Sequence, residues 1–299
     1  MKKYLDKIFN KEKYYKDKNS LKVKLDREVF KKNFENQIDK IQNALNTKKE
    51  ISFQHAGHIG DIINVLPIIK EISKTHKCNL FIELNAPIKV KYNDHPGGKF
   101  YLNDKIYKML YPLLKSQDYI HNIEIFTNQE IDINFNLIRE IPINLLFDNS
   151  RYGFHIAGIQ VDLSKKFLEV KDHNKFKKKI VILRSLRYQN PFISYTFLQN
   201  YEPAIFVGLI DEYEELKKDL KNLEFYECKD FLEMASIIKS SKVLIGNSTI
   251  GIDIADGLKT PRLLEASPYF PARQIHGEMG YDFYFQSHFE KFFKILYTK

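Results

Sequence analysis

The sequence predicts an α/β protein built from two Rossmann-like domains with parallel sheets. Three observations carry that expectation. Short apolar runs such as "KKIVILRS" (178–185), "PAIFVGL" (203–209) and "KVLIGN" (242–247) lack the polar alternation of a half-exposed strand. They fit strands covered on both faces. Such runs alternate with stretches of helical periodicity, the pattern of parallel strands joined by crossover helices. The series breaks once, near residues 150–178, where the charged "DLSKKFLEVKDHNKFKKK" separates two sets. A chain of 299 residues suits two domains of about 120–150 residues each.

Taken in order, residues 1–25 read as loosely helical or poorly ordered. In 26–46, Val29, Phe30, Phe34, Ile38, Ile41 and Leu45 recur at helical spacing and predict an amphipathic helix. "EISFQH" (50–55) reads as a strand, followed by a helix over about 62–75 and a second strand "NLFIEL" (79–84). A helix over 102–117 should be interrupted at Pro112. "NIEIF" (122–126) and "IDINFN" (131–136) are short strand candidates. The second set opens with the strands 178–185 and 203–209, then the helix "DEYEELKKDL", the strand "LEFYEC" and the helix "FLEMASIIKSS". It continues with the strand "KVLIGN", the helix "STIGIDIADGLK" and the strand "PRLLEAS". "FYFQSHFEKFFKILYTK" closes the chain as an apolar-faced helix. The expected division is a basic helical extension (1–49), a first Rossmann-like domain (50–165), a second (175–280), and a helix (281–299) packing back on the body.

Composition narrows the function classes. Aromatic residues, all Phe and Tyr, make up 14% of the chain, which argues for packed cores and against global disorder. Cys78 and Cys228 fall in different halves with no CxxC or Cys/His cluster, so no disulfide framework or zinc site is expected. Two isolated thiols suit a reducing compartment. No apolar run reaches the roughly 18 residues of a membrane span, and the N-terminus lacks the apolar stretch of a secretory signal. These features predict a cytoplasmic protein. The net charge is +9. Residues 1–50 hold 15 Lys+Arg and 8 Asp+Glu, or +7; the other 249 hold 32 and 30, or +2. The basicity belongs to the N-terminal segment. It could lie on an anionic membrane surface, touch nucleic acid, or serve only as a solvated Lys-rich helix. The near-neutral body makes nucleic acid the weakest of these, and no nucleic-acid partner is expected.

In open α/β sheets, ligands bind at the carboxyl ends of strands. Four strand-to-helix turns therefore hold the candidate residues. In "HAGHIGD" (55–61), Gly57 and Gly60 permit close backbone approach, and Asp61 stands at a helix start. Asp61 either caps the helix or serves as a general base. His55 and His58 flank it and either reach the cleft or only pack. In "ILRSLRYQNP", Arg184, Ser185, Arg187 and Tyr188 follow the strongest strand. Guanidinium groups and a hydroxyl there could hold a diphosphate, or be surface side chains. In "VGLIDEYEEL", Gly208 ends a strand, and Asp211 or Glu212 either caps the next helix or binds ribose hydroxyls. In "IGNSTIGIDIADGLKTP", Gly246, Asn247, Ser248 and Thr249 open onto a helix whose first N–H groups can receive an anion. Neither a P-loop nor a Gly-x-Gly-x-x-Gly dinucleotide motif occurs, which argues against a dehydrogenase or epimerase.

Together these turns resemble the heptosyltransferase-like glycosyltransferases, family 9, of the GT-B fold. "HIGDIINVLPIIKEI" resembles that family's first motif, through Ile59, Gly60, Asp61 and Pro67. "IGNSTIGIDIADGLKTP" is similar to its late motif, matching at Gly246, Thr249, Ala255 and Pro261. "FVGLIDEYEEL" is similar to the Gly-then-Glu segment of the nucleotide-binding half. The resemblance spans residues 50–265 in order and leaves the first 50 outside. It implies two Rossmann-like domains facing across a cleft, the first for the acceptor and the second for a nucleotide sugar. It implies an inverting transfer with Asp61 as general base, no metal and no cofactor, the nucleotide-sugar donor being a substrate. The acceptor would be a saccharide or lipid-linked one in surface glycan synthesis. Donor contacts would come from Gly60, Arg184, Ser185, Arg187, Gly208, Glu212, Asn247, Ser248, Thr249 and Asp253, with His55 and His58 on the acceptor side. Two departures stand out: the family's Asp is Ser248 here, and its His is Asp253. A carboxylate at 253 would repel a diphosphate. A non-catalytic relative that keeps the nucleotide pocket is the alternative these departures raise.

Overall fold

The computed structural model describes residues 7–88, 98–140, 148–270 and 273–299. The first half holds β1 (Glu50–His55), β2 (Lys77–Ile82), β3 (Asn122–Ile125) and β4 (Ile133–Asn134), in the order β3-β2-β1-β4. The second half holds β5 (Ile180–Leu183), β6 (Ala204–Val207), β7 (Leu223–Tyr226), β8 (Val243–Gly246), β9 (Arg262–Glu265) and β10 (Gly280–Phe283), in the order β10-β9-β8-β5-β6-β7. All pairings are parallel. Every residue of β5, β6, β8 and β9 is buried, as their uninterrupted apolar runs require. In each half the winding reverses beside the first strand, between β1 and β4 and between β5 and β8. The crevice of an open α/β sheet forms at that reversal.

The helices are α1 (Lys11–Phe30), α2 (Asn36–Thr47), α3 (Ile59–Ile72), α4 (Asp104–Lys115), α5 (Tyr152–Ala157), α6 (Ile210–Lys217), α7 (Phe231–Ser240), α8 (Ile250–Leu258) and α9 (Gln286–Tyr297). Several differ from expectation for identifiable reasons. Residues 11–25 are regular helix, continued by a π turn (Lys31–Glu35) into α2. Asn10 caps α1 by accepting the Lys13 N–H at 3.1 Å. Pro112 does not interrupt α4. The buried Leu110, Leu113 and Leu114 hold that turn against the core, and packing outweighs one missing hydrogen bond. β4 is only two residues, because the Asn134 side chain accepts the Asn136 N–H at 2.9 Å and turns the chain into a 3₁₀ helix, Phe135–Arg139. β10 was not legible as a strand; only Phe283 of its four residues is buried, as befits a sheet edge.

The halves are not held apart by a linker. The segment expected as a charged boundary is a seam. Phe167 and Leu168 are buried, and both donate N–H groups to the Gly257 carbonyl at 2.9 and 3.0 Å. Tyr119 of the first half donates its hydroxyl to the Phe167 carbonyl at 2.9 Å. Consequently one apolar cluster runs from Ile51 and Leu66 of the first half to Leu183 and Ile252 of the second. A separate cluster lies on the far side of the second sheet, where Phe289, Phe293 and Leu296 of α9 meet Ile180, Tyr195 and Phe206. α9 therefore packs on the second half and completes its far face.

Candidate active site

The first turn forms because β1 stops at His55 and Gly57 and Gly60 let the chain swing into α3. His58 is the N-cap residue, with extended backbone (φ −61°, ψ 163°). The Asp61 carboxylate reaches back and accepts the His58 N–H on Oδ2 at 3.2 Å. The same oxygen accepts from Arg139 Nη2 at 3.0 Å. Arg139 stands at the end of the 3₁₀ helix after β4, so the winding reversal between β1 and β4 is what brings it to Asp61. Its guanidinium also lies over the Tyr101 ring, 4.3 Å from the centroid. The Asp61 side chain remains 41% exposed. A carboxylate fixed on one oxygen and open to solvent can meet a substrate hydroxyl.

The two flanking histidines part company. His55 is 2% exposed, and its Nδ1 accepts the Gly57 N–H at 2.8 Å. Burial, aided by Arg139, pushes its pKa down to about 3. It is a neutral prop behind the turn, which corrects the expectation of a contact with acceptor. His58 lies partly exposed, its Nδ1 3.1 Å from the Tyr101 carbonyl oxygen and its ring edge-on to Tyr101. Burial lowers its pKa, and Arg187 of the second half adds to that effect.

In the second half, Arg184 corrects the expectation of a phosphate contact. It is 8% exposed and binds Glu265 through Nε (2.6 Å) and Nη2 (2.9 Å). Glu265, fully buried, also accepts from Tyr195 Oη at 2.8 Å and from the Asn190 N–H. Asn247 is likewise committed inward. Its Oδ1 accepts the Ser185 N–H at 2.9 Å, and its Nδ2 donates to the Ser185 carbonyl at 2.7 Å. This pair clasps the ends of β5 and β8 together. Ser185, 3% exposed, accepts the Arg187 N–H on Oγ at 3.2 Å.

Arg187, Glu212, Ser248 and Thr249 remain at the crevice, each only partly buried. Glu212 accepts the Leu209 N–H at 3.2 Å, closing the start of α6. Burial raises its pKa, while the Leu209 N–H, Arg187 and Ser185 pull it down, so the three side chains are close. Gly208 leaves room for this carboxylate; a Cβ there would lie 3.1 Å from Glu212 Oε2. Thr249 is the N-cap residue of α8 but makes no side-chain cap; its hydroxyl donates to the Leu183 and Asn247 carbonyls at 3.4 and 3.3 Å.

The halves meet at Gly60 and Asp253. A Cβ on Gly60 would fall 2.6 Å from Asp253 Oδ2. The start of α3 therefore abuts the first turn of α8. Asp253 is buried and ion-paired with Arg273. Burial pushes its pKa up to about 7 against the pull of Arg273, and Asp61 adds to the rise. Arg273 also donates to Asn64 Oδ1 (2.8 Å) and Ser150 Oγ (3.2 Å), both in the first half. Asp253 thus faces the first domain and has its own cation, which eases the expected conflict with a diphosphate.

Sequence reasoning missed Arg139, Arg273 and Glu265. None of them belongs to a motif, and each has a partner far along the chain. The metal-ligating residues do not gather either: among the described residues, no group of three or more His, Cys, Asp or Glu could hold an ion.

No family model matches the sequence, and no curated protein matches it. Solved structures do. A glycosyl transferase family 9 protein from Veillonella parvula DSM 2008 superposes with a TM-score of 0.53 at 11% identity, covering 83% of this chain and 89% of that one. The E. coli heptosyltransferase WaaC, solved with ADP, gives a TM-score of 0.54 at 8% identity, covering 83% and 99%. With its two parallel sheets, each reversing its winding beside its first strand, the chain has the GT-B fold of these glycosyltransferases.

Proposed function

We propose that the protein is an inverting glycosyltransferase that moves a sugar from a nucleotide sugar to a saccharide or lipid-linked acceptor in surface glycan synthesis. One observation carries this: the Asp61 carboxylate, solvent-open and held by Arg139, stands where the start of α3 meets the start of α8. In the reaction, Asp61 takes the proton of the acceptor hydroxyl as that oxygen bonds to the anomeric carbon. The bond from that carbon to the diphosphate breaks, and the nucleoside diphosphate leaves with the electron pair. The growing negative charge falls at the start of α8, near Ser248 and Thr249, and within reach of Arg187. Glu212 takes the ribose hydroxyls. Gly60 permits the close approach of the two halves. His58 lies on the acceptor side. No step is assigned to a metal or cofactor. The ADP in the structure of the E. coli heptosyltransferase WaaC is a guide to which donors to try, ADP-linked sugars first.

The test is transfer, and slow donor hydrolysis, with a panel of ADP-, GDP-, UDP- and CMP-sugars. Asp61→Asn is expected to lower kcat by about 10²–10⁴-fold with donor affinity unchanged by calorimetry. Full activity in Asp61→Asn would remove the base assignment. A second reading, a non-catalytic nucleotide-sugar binder, is favoured by the Asp61–Arg139 ion pair, which already engages one oxygen of the carboxylate. Donor binding without turnover by the wild-type protein would establish it.

A further inference from the structure

The N-terminal helix has no place in the reaction above. None of the 20 residues of α1 is buried. Tyr15, Leu21, Val23, Leu25, Val29 and Phe30 are all exposed, as are Ile8 and Phe9 just before it. Of the 16 large apolar side chains exposed among the described residues, these are eight. The remaining eight are spread over the whole body. The helix joins the body only beyond its end, where Phe34 is 1% exposed and stacks on Phe30.

The charge of this helix is organised. At 100° per residue, Tyr14, Leu21, Leu25 and Val29 fall along one side, and Lys11, Lys18 and Lys22 share it. Of the four acidic residues of α1, Glu12, Asp17 and Asp26 lie about 40° or more beyond that side, and Glu28 borders it about 20° from Leu21. Lysines set among apolar residues do not suit a helix-to-helix seam, which excludes charge from its centre. They do suit a lipid surface, where stems lie along the acyl boundary and ammonium groups reach phosphates. Nucleic acid would use the lysines but leave the leucines and valine unburied. The placement agrees. Only Lys48 and Lys49 separate α2 from β1, so the two run back on each other. The Leu45 carbonyl meets His76 at the strand-start end. The other end of α2, from which α1 departs, therefore lies toward the end of the sheet that holds His55 and Asp61.

We propose that α1 is a docking arm for an anionic lipid bilayer, seated through Tyr14, Leu21, Leu25 and Val29 with Lys11, Lys18 and Lys22 on lipid phosphates. The arm holds the acceptor side of the cleft beside the membrane face. This goes beyond the proposed transfer and is independent of it, since binding is read without turnover.

The experiment is flotation of the full chain with vesicles of phosphatidylcholine alone or with about 30% phosphatidylglycerol. Binding is expected to the anionic vesicles, at least about tenfold weaker to the neutral ones, and weakened by salt. Lys18→Gln with Lys22→Gln should lower partitioning about thirtyfold, and Leu21→Ser with Leu25→Ser should lower it as well. Because α1 has no buried side chain, both variants should keep the wild-type Tm, which verifies folding. A chain beginning at Lys31 should lose vesicle binding and keep its Tm. Equal binding of variants and wild type would overturn the proposal. So would the absence of vesicle binding, preferential binding of a single-stranded RNA oligonucleotide, or a sedimenting dimer that Leu21→Ser with Leu25→Ser dissolves.

Discussion

Asp61 makes the capping contact its sequence position offered and stays open to solvent. It receives the His58 N–H, as an acid in the first helical turn should, and it keeps 41% of its side chain open. The second donor, Arg139, is what makes the geometry specific, because it fixes which oxygen is engaged. Gly60 shows how tightly the neighbouring residue is constrained. Its φ lies in the ordinary helical region, so glycine is needed for space and not for conformation. Gly60→Ala would drive a methyl against Asp253 Oδ2, 2.6 Å away, with Arg273 behind that carboxylate. The expected cost is about 1–3 kcal/mol of stability, read by urea unfolding, together with loss of activity from a displaced Asp61. Unchanged stability and activity would show that the halves separate freely at this point.

At the scale of elements, β5, β8 and α8 form one unit. Gly246 ends β8 in register with Leu183 of β5. A Cβ at 246 would lie 2.5 Å from the Leu183 carbonyl oxygen. Backbone in the middle of a buried sheet cannot move aside. Gly246→Ala is therefore expected to destabilise toward the upper end of about 1–3 kcal/mol, lowering the midpoint in urea without altering m. The Asn247 side chain adds a second lock by pairing with both backbone groups of Ser185. These contacts hold the turn between β8 and α8 rigidly against the end of β5. α1 is the opposite case, regular in backbone and without a buried side chain.

Across the whole molecule, the two halves are joined by buried ionic groups as well as by the shared core. His276 places Nε2 2.9 Å from Asp148 of the first half and Nδ1 3.2 Å from Asp256 of the second. Asp256 in turn holds Arg262 and Lys259. Burial alone would lower the His276 pKa, but the two carboxylates outweigh it and the net shift is upward from 6.5. A raised histidine pKa means the folded state binds the proton more tightly. That stability is complete below about pH 6.5 and is lost as pH rises through the raised value. Asp253, raised to about 7, also favours the folded state at lower pH, so the two must be separated by mutation. The expected outcome is a Tm that falls between about pH 6.5 and 8, with a shallower fall in His276→Gln. Equal slopes would show that His276 is not the titrating tie. This window stays at or below the value of about 8 to which burial lowers Lys259. Above that value Lys259 contributes with the opposite sign.

The alternation of strands and helices was legible because burial of a parallel strand on both faces demands a local apolar run, and "KVLIGN" and "KKIVILRS" carry that demand in their own residues. The crevice was legible for a similar reason: its turns follow the strands directly, so Asp61, Arg187, Glu212 and Thr249 could be named from position. Only the tertiary structure decided what each polar group faces. Arg184 and Arg187 look alike in sequence, yet one is absorbed by Glu265, 81 residues away, and the other stays at the crevice. Arg139 meets Asp61 across 78 residues. Arg273 finds Asn64 and Asp253 together only because the halves close on each other. Periodicity and turn chemistry act over a few residues. The pairing of buried charges is settled by desolvation among groups that only the completed fold makes neighbours.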